Sequence, residues 1–163
     1  MVFAIEAAVL CAAFTAVVVP SVRKDPLAWV ADYPPAIRER CRELGLVPEK
    51  QEFSLKKLIV TKLGRLVFSS ALFTALVILV NGARTFAQGF WMTYALWAVV
   101  AWYDALVVDC LWFCHSKKIR IPGTEDLVSA YHDYGFHLRM SCLGMVLGLP
   151  AALLTGLMVA VLR

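Results

Sequence analysis

Aspartate and histidine side chains suited to acid–base or metal chemistry concentrate in one part of this chain. The strongly apolar stretch "WYDALVVDCLWFCH" at 102–115 contains Asp104, Asp109 and His115. The next 25 residues add three acids and two histidines, so all 3 histidines of the chain fall in one region. An ionisable residue inside an apolar span is costly and usually faces a bundle interior or a water-filled cavity. These residues therefore form the first candidate site.

Helical periodicity predicts how the second group is arranged. Thr124 follows an "IPG" turn and is a favourable N-cap, so we expect a helix from about residue 125 that continues into the last apolar segment. On that helix Asp126, Asp133 and His137 would share one stripe. Asp126 itself would serve as a helix N-terminal charge.

The same periodicity orders the acids of the preceding helix. Asp104 and His115 are eleven residues apart and would share a face, whereas Asp109 would project about 140° from Asp104. One short connection joins the two helices, so we expect them to lie side by side. Asp109 would then pair either with a site residue or with a cation such as Lys62, Arg65 or Arg139.

Carboxylates and imidazoles gathered in this way fit two kinds of chemistry. As general acid–base groups, the candidate catalytic residues are Asp104, Asp109, Asp133 and His137. As metal ligands, the candidates are Asp104, Asp109, His132, Asp133 and His137. This donor set suits Zn, Mn or non-haem Fe. No established metal motif such as H-E-x-x-H occurs, and each residue also has a purely structural interpretation.

Cysteines offer a rival site, and one acidic residue lies apart. Cys110, Cys114 and Cys142 are predicted at similar depth and, with His115, would suit a soft metal if they ionised. Buried free cysteines more often act as small hydrophobic residues. Glu6, in the first apolar segment, is either a proton-coupling group or an interfacial charge.

The composition places these residues in a membrane protein. The chain has 163 residues, 61% of them hydrophobic and only 17% charged, with a mean hydropathy of +0.72. Four apolar segments approach the length of about 20 residues that a bilayer-spanning helix needs. They predict an all-α integral membrane protein with a single four-helix domain and spans at about 2–20, 66–83, 90–113 and 140–162. The first segment lacks the basic N-terminal region of a cleavable signal.

The basic residues predict the orientation of these spans. Ten of the 16 Lys and Arg lie in 21–65 and four in 114–139, against two in the remaining connections and ends. Because basic residues favour the cytoplasmic side, we expect a multi-pass cell-membrane protein with both termini outside. The net charge of +4 then suits an anionic inner leaflet rather than nucleic acid.

Two further patterns concern packing. The segment "AIRERCRELGL" predicts a short amphipathic helix with Ile37, Cys41 and Leu44 on one face, which would lie on the membrane or pack on a neighbour. The last span carries a stripe of small residues that lets another helix approach closely, either within the chain or from a second protomer. Its members are Gly144, Gly148, Ala152 and Gly156.

Three functions are compatible with these features. The favoured one is a small membrane-embedded enzyme, metal-dependent or acid–base, that acts on a lipid-like substrate at the cytoplasmic side. The second is an accessory or scaffolding subunit that binds a partner through the stripe of small residues. The third is an oligomeric proton-coupled transporter that uses Asp104 and Glu6, although polar residues are sparse in the outer half of the spans.

Overall fold

The computed structural model describes residues 1–48 and 55–163, with the side chains of 55–58 left aside. Within this part the chain is helical and contains no strand. The α-helices are α1 (Val2–Lys24), α2 (Pro35–Glu43), α3 (Leu55–Leu79), α4 (Phe86–Tyr103), α5 (Val128–Tyr131) and α6 (Tyr134–Leu162). A π-helical segment, Asp104–Phe113, continues α4, and short 3₁₀ turns lie at Leu27–Asp32 and Lys117–Ile119.

Four helical segments are long and apolar enough to cross a bilayer. They are Val2–Lys24, Ile59–Leu79, Phe86–Phe113 and Val128–Leu162, which confirms the predicted number of membrane-length apolar helices. Many large apolar side chains on them point outward: Phe68 is 73% exposed and Leu79 is 79% exposed. Helices that face lipid expose such side chains. The orientation of the spans stays a prediction.

Contacts group the described residues into two compact units. The first comprises Met1–Val9, Glu52–Ala101 and Cys142–Arg163, and the second comprises Leu10–Gln51 and Trp102–Ser141, as far as the structure describes them. The acids and histidines of 104–139, which the sequence marked as candidate site residues, all belong to the second unit.

Close helix packing characterises the first unit. A Cβ atom placed on Gly148 would lie 2.5 Å from the Trp97 ring, and one on Gly156 would lie 2.9 Å from the Phe86 ring. The Trp97 indole Nε1 donates a hydrogen bond of 3.0 Å to the carbonyl oxygen of Gly144. The stripe of small residues therefore contacts the chain's own aromatic residues on α4. A second protomer on this stripe stays a prediction.

The second unit has an aromatic and polar core. Ile37 and Cys41 of α2 are fully buried against this core, so the apolar face of α2 packs on protein, while Leu44 remains 47% exposed. Tyr33 Oη donates to the carbonyl oxygen of Ile119 at 2.9 Å. These contacts hold the connection after the π-helical segment against α2.

Thr124 does not cap a helix, which corrects the prediction for residues 125–139. Its buried hydroxyl donates to the carbonyl oxygen of Ile121 at 2.7 Å and lies 2.8 Å from Tyr131 Oη. Asp126 forms a two-point ion pair with Arg40, at 3.2 Å for each contact. Only the short α5 forms before helical structure is interrupted at 132–133, and α6 then begins at Tyr134.

Candidate functional site

The π-helical segment determines how the two acids of the third span are presented. In a π-helix each N–H bonds the carbonyl five residues back, and the Cys114 N–H donates in this way to the Asp109 carbonyl at 2.9 Å. Residues five apart, such as Asp104 and Asp109, are then separated by about one turn. The predicted divergence of about 140° assumed α-helical periodicity and is wrong for this segment. The predicted shared face of Asp104 and His115 fails for the same reason.

Asp109 and His137 form the centre of the site. His137 Nδ1 lies 3.0 Å from Asp109 Oδ2, and the side chains are 3% and 26% exposed, respectively. This identifies the partner of Asp109 as a site residue, where the sequence left open a choice between a site residue and a cation such as Lys62, Arg65 or Arg139. The second ring nitrogen, His137 Nε2, is buried and has no hydrogen-bond partner among the described residues. The imidazole therefore has one nitrogen held by a carboxylate and one available.

Aromatic rings fix the orientation of this imidazole. Phe113 approaches it edge-on with a centroid distance of 5.2 Å, and Phe136 does so at 5.3 Å. His137 lies in the first turn of α6, immediately after the break at 132–133. This break allows the imidazole to meet Asp109 while α6 continues as a membrane-length helix.

Asp133 caps the first turn of α6. Its Oδ1 accepts the Phe136 N–H at 2.8 Å, which is the hydrogen bond of a helix N-cap. Asp133 and His137 are therefore not an i, i+4 pair on a continuous helix, as the sequence predicted. Asp133 stabilises the turn that carries His137.

Asp104 and Asp32 complete the acidic surroundings. Asp104 is half-buried and close enough to Asp109 and His137 to interact with both electrostatically. Asp32, at the end of the first 3₁₀ turn, is exposed as a residue, but partial desolvation of its carboxyl and the nearby Asp109 carboxylate raise its pKa, against the opposing effect of Arg38. Asp32 was not predicted from the sequence. It precedes Tyr33 and a Pro-Pro pair, and nothing in that pattern indicates an acid near the third span.

His132 and His115 lie together in a different arrangement. Their rings are edge-on at 5.4 Å, and the Nδ1 atoms contact the carbonyl oxygens of Val128 and Cys110 at 2.8 Å and 3.1 Å. His115 Nε2 is also 3.4 Å from Tyr134 Oη. His132 therefore has polar partners other than the Asp109–His137 pair, unlike its predicted role as a fellow metal ligand.

The described residues do not support the predicted metal site. No group of three or more His, Cys, Asp or Glu side chains among them is arranged to hold a metal ion. Asp109 and His137 bond each other directly, and Asp133 caps a helix. The thiol alternative has no better basis, because burial and the neighbouring Cys110 and Asp109 raise the pKa of Cys114 to about 12, which disfavours the thiolate that a metal needs.

The comparisons with known proteins add no further assignment. No protein family, curated protein or solved structure matches this chain. The described residues form a helical protein with four membrane-length apolar helices and an Asp–His pair whose histidine is buried. Chemically, a carboxylate on one imidazole nitrogen fixes the tautomer and leaves the other nitrogen able to accept or return a proton.

Proposed function

We propose that this chain is a small membrane-embedded enzyme in which Asp109 and His137 perform acid–base chemistry on a lipid-like substrate. The observation that carries the proposal is His137 Nε2, which is buried without a partner among the described residues while Nδ1 contacts Asp109. Leaving a buried polar atom unpaired costs about 1–3 kcal/mol. A substrate hydroxyl or activated water that donates to Nε2 would recover this cost.

Each acid has a distinct role in this proposal. Asp109 accepts the Nδ1–H of His137 and stabilises the imidazolium formed when Nε2 takes up a proton. Asp104, about one π-helical turn away, is the second carboxyl and receives or supplies a proton as the reaction proceeds. Asp133 acts as a positioning residue because it caps the turn that holds His137.

The distribution of basic residues supports the cellular setting of this site. With 21–65 and 114–139 on the cytoplasmic side of the cell membrane, the Asp109–His137 pair would lie at the inner end of the third span. A substrate that enters from the inner leaflet would reach it with its polar part at headgroup depth. This setting favours an amphiphile over a fully soluble metabolite.

Lipid turnover in nanodiscs tests the proposal. The wild-type chain would be reconstituted in a total polar lipid extract beside H137Q, D109N and the control H132Q, and lipids followed over time by mass spectrometry. We expect a lipid species to be consumed by the wild type and by H132Q. We expect a rate at least about 100-fold lower in H137Q, since general acid–base groups contribute about 10²–10⁴-fold.

Two outcomes would argue against an enzyme. In the first, the folded wild-type chain changes no lipid in the extract. In the second, H137Q consumes the same lipid as fast as the wild type. Either result would leave the Asp109–His137 contact as a structural pair.

A further inference from the structure

A cavity of about 400 Å³ lies in the second unit, just past the end of α1. Its walls combine apolar side chains from the first 3₁₀ turn and from the segment just after α2 with two arginines of α2. The lining includes Leu27, Val30, Val47, Arg38 and Arg42. The volume falls in the range of about 300–1,000 Å³ that small-molecule sites occupy.

The two arginines share one face of α2 because they are four residues apart. Ile37 and Cys41, one position earlier on the helix, turn into the protein core and fix this orientation. Arg38 Nε is buried and has no hydrogen-bond partner among the described residues. Arg42 pairs with Glu39 at 2.6 Å on the exposed side. Arg38 therefore lines the cavity with a guanidinium whose Nε has no hydrogen-bond partner among the described residues.

We propose that this cavity binds the phosphate group of an anionic amphiphile, with Arg38 as the principal phosphate ligand and the apolar wall contacting the start of its acyl chain. A guanidinium donates paired hydrogen bonds to phosphate oxygens. The apolar residues on the opposite wall would contribute nothing to binding a free phosphate. The cavity also begins three residues after α1, a candidate span, which places it near headgroup depth.

Asp32 links this cavity to the Asp109–His137 pair. It follows Ala31 of the cavity wall and belongs to the same compact unit as Asp109 and His137. The Asp109 carboxylate raises the pKa of Asp32 and the Arg38 guanidinium lowers it. The inference rests on the proposed function for its substrate role, but binding itself requires no turnover.

Calorimetric titration of the full chain in a phosphate-free maltoside detergent tests the inference. The probes are dihexanoyl phosphatidic acid, dihexanoylglycerol with the same chains and no phosphate, and glycerol 3-phosphate with no chains. We expect saturable binding of phosphatidic acid and at least about tenfold weaker binding of the other two. Equal affinity for glycerol 3-phosphate would overturn the lipid assignment and indicate a soluble phosphate ester.

A matched pair of variants separates the cavity from general surface charge. R38Q and R40Q each remove one charge from α2, but Arg40 pairs with Asp126 instead of lining the cavity. We expect R38Q to weaken phosphatidic acid binding about tenfold or more and R40Q to change it less than twofold. Equal weakening by the two variants, or no saturable binding to the folded wild type, would overturn the inference.

H137Q distinguishes this inference from the proposed function. It should bind phosphatidic acid with wild-type affinity, because His137 does not line the cavity. Binding without turnover by the wild type would contradict the enzyme and leave the binding site standing. Turnover of an amphiphile without binding at Arg38 would contradict the binding site and leave the enzyme standing.

Discussion

Each unit of the molecule contains a partly buried polar pair in which one atom has no hydrogen-bond partner among the described residues. In the first unit Asn81 Nδ2 donates to Glu6 Oε1 at 2.7 Å, and Glu6 Oε2 has no partner. In the second unit Asp109 contacts His137 at 3.0 Å, and His137 Nε2 has no partner. By burial and hydrogen-bond count alone the two pairs look alike.

Their chemistry differs because of the partner in each pair. An amide neither takes up nor releases a proton near neutral pH, so Asn81 can only hold Glu6 in place. An imidazole takes up and releases protons in this range. A carboxylate bonded to one ring nitrogen leaves the other nitrogen to exchange the proton. Only the second pair therefore combines orientation with proton transfer, which is why we assign the chemistry to the second unit rather than to Glu6.

Removing one charge from each pair gives the largest expected contrast. D109N should lower turnover by about 10²–10⁴-fold, because the amide no longer stabilises the imidazolium or enforces its tautomer. E6Q keeps the size and polarity of Glu6 and should leave turnover within about twofold. Both variants would be assayed by lipid mass spectrometry in nanodiscs.

Similar losses in both variants would break the comparison. They would mean that Glu6 takes part in proton movement, as the transporter alternative requires. A D109N chain that unfolds would be replaced by D109E, which retains the charge and should keep part of the activity.

Much of the first unit could be read from the sequence. Long apolar runs predicted the four membrane-length helices, each of which contributes residues to this unit. Gly144, Gly148, Ala152 and Gly156 marked a face for close helix approach. That face contacts Trp97 and Phe86, which the sequence could not show, because spacing within one helix carries no information about its neighbour.

The site was harder to predict because two local departures from the α-helix create it. The change to π-helical hydrogen bonding at Asp104 brings the two acids towards one side, and apolar residues give no signal for this change. The break before α6 had a weak signal: Asp133 followed by Gly135 is a plausible N-cap. The prediction of one helix from residue 125 overlooked this signal and consequently misplaced Asp133.

Packing in the first unit is sensitive to a single methyl group, and two neighbouring glycines provide the test. G148A would place a Cβ 2.5 Å from the Trp97 ring, whereas nothing lies within 4 Å of the corresponding atom at Gly144. We expect G148A to lower the free energy of unfolding by about 1–3 kcal/mol through overpacking. G144A should be neutral or raise it by up to about 1 kcal/mol, as Gly→Ala does inside helices.

Thermal unfolding followed by tryptophan fluorescence in detergent would measure both variants. Equal stability would show that Trp97 does not hold the position observed here. The close contact between α4 and α6 would then no longer distinguish the first unit.

The smallest expected effect is the pH-dependent contribution of Asp32 to the stability of the second unit. Its pKa is raised from the ordinary value of 3.8 by partial desolvation and by Asp109, so the folded chain favours the protonated form. This contribution to stability is complete below pH 3.8 and is lost as the pH rises through the higher folded-state pKa. At pH 7 the free energy of unfolding of D32N should therefore exceed that of the wild type by about a few tenths of a kcal/mol, a small difference because Asp32 is exposed. Its unfolding temperature should be slightly higher. The difference should close as both are acidified towards pH 3.8.

D126N is the control, because losing the pair with Arg40 should not stabilise the chain. A stabilisation by D32N that is the same at every pH would show that Asp32 and Asp109 do not interact.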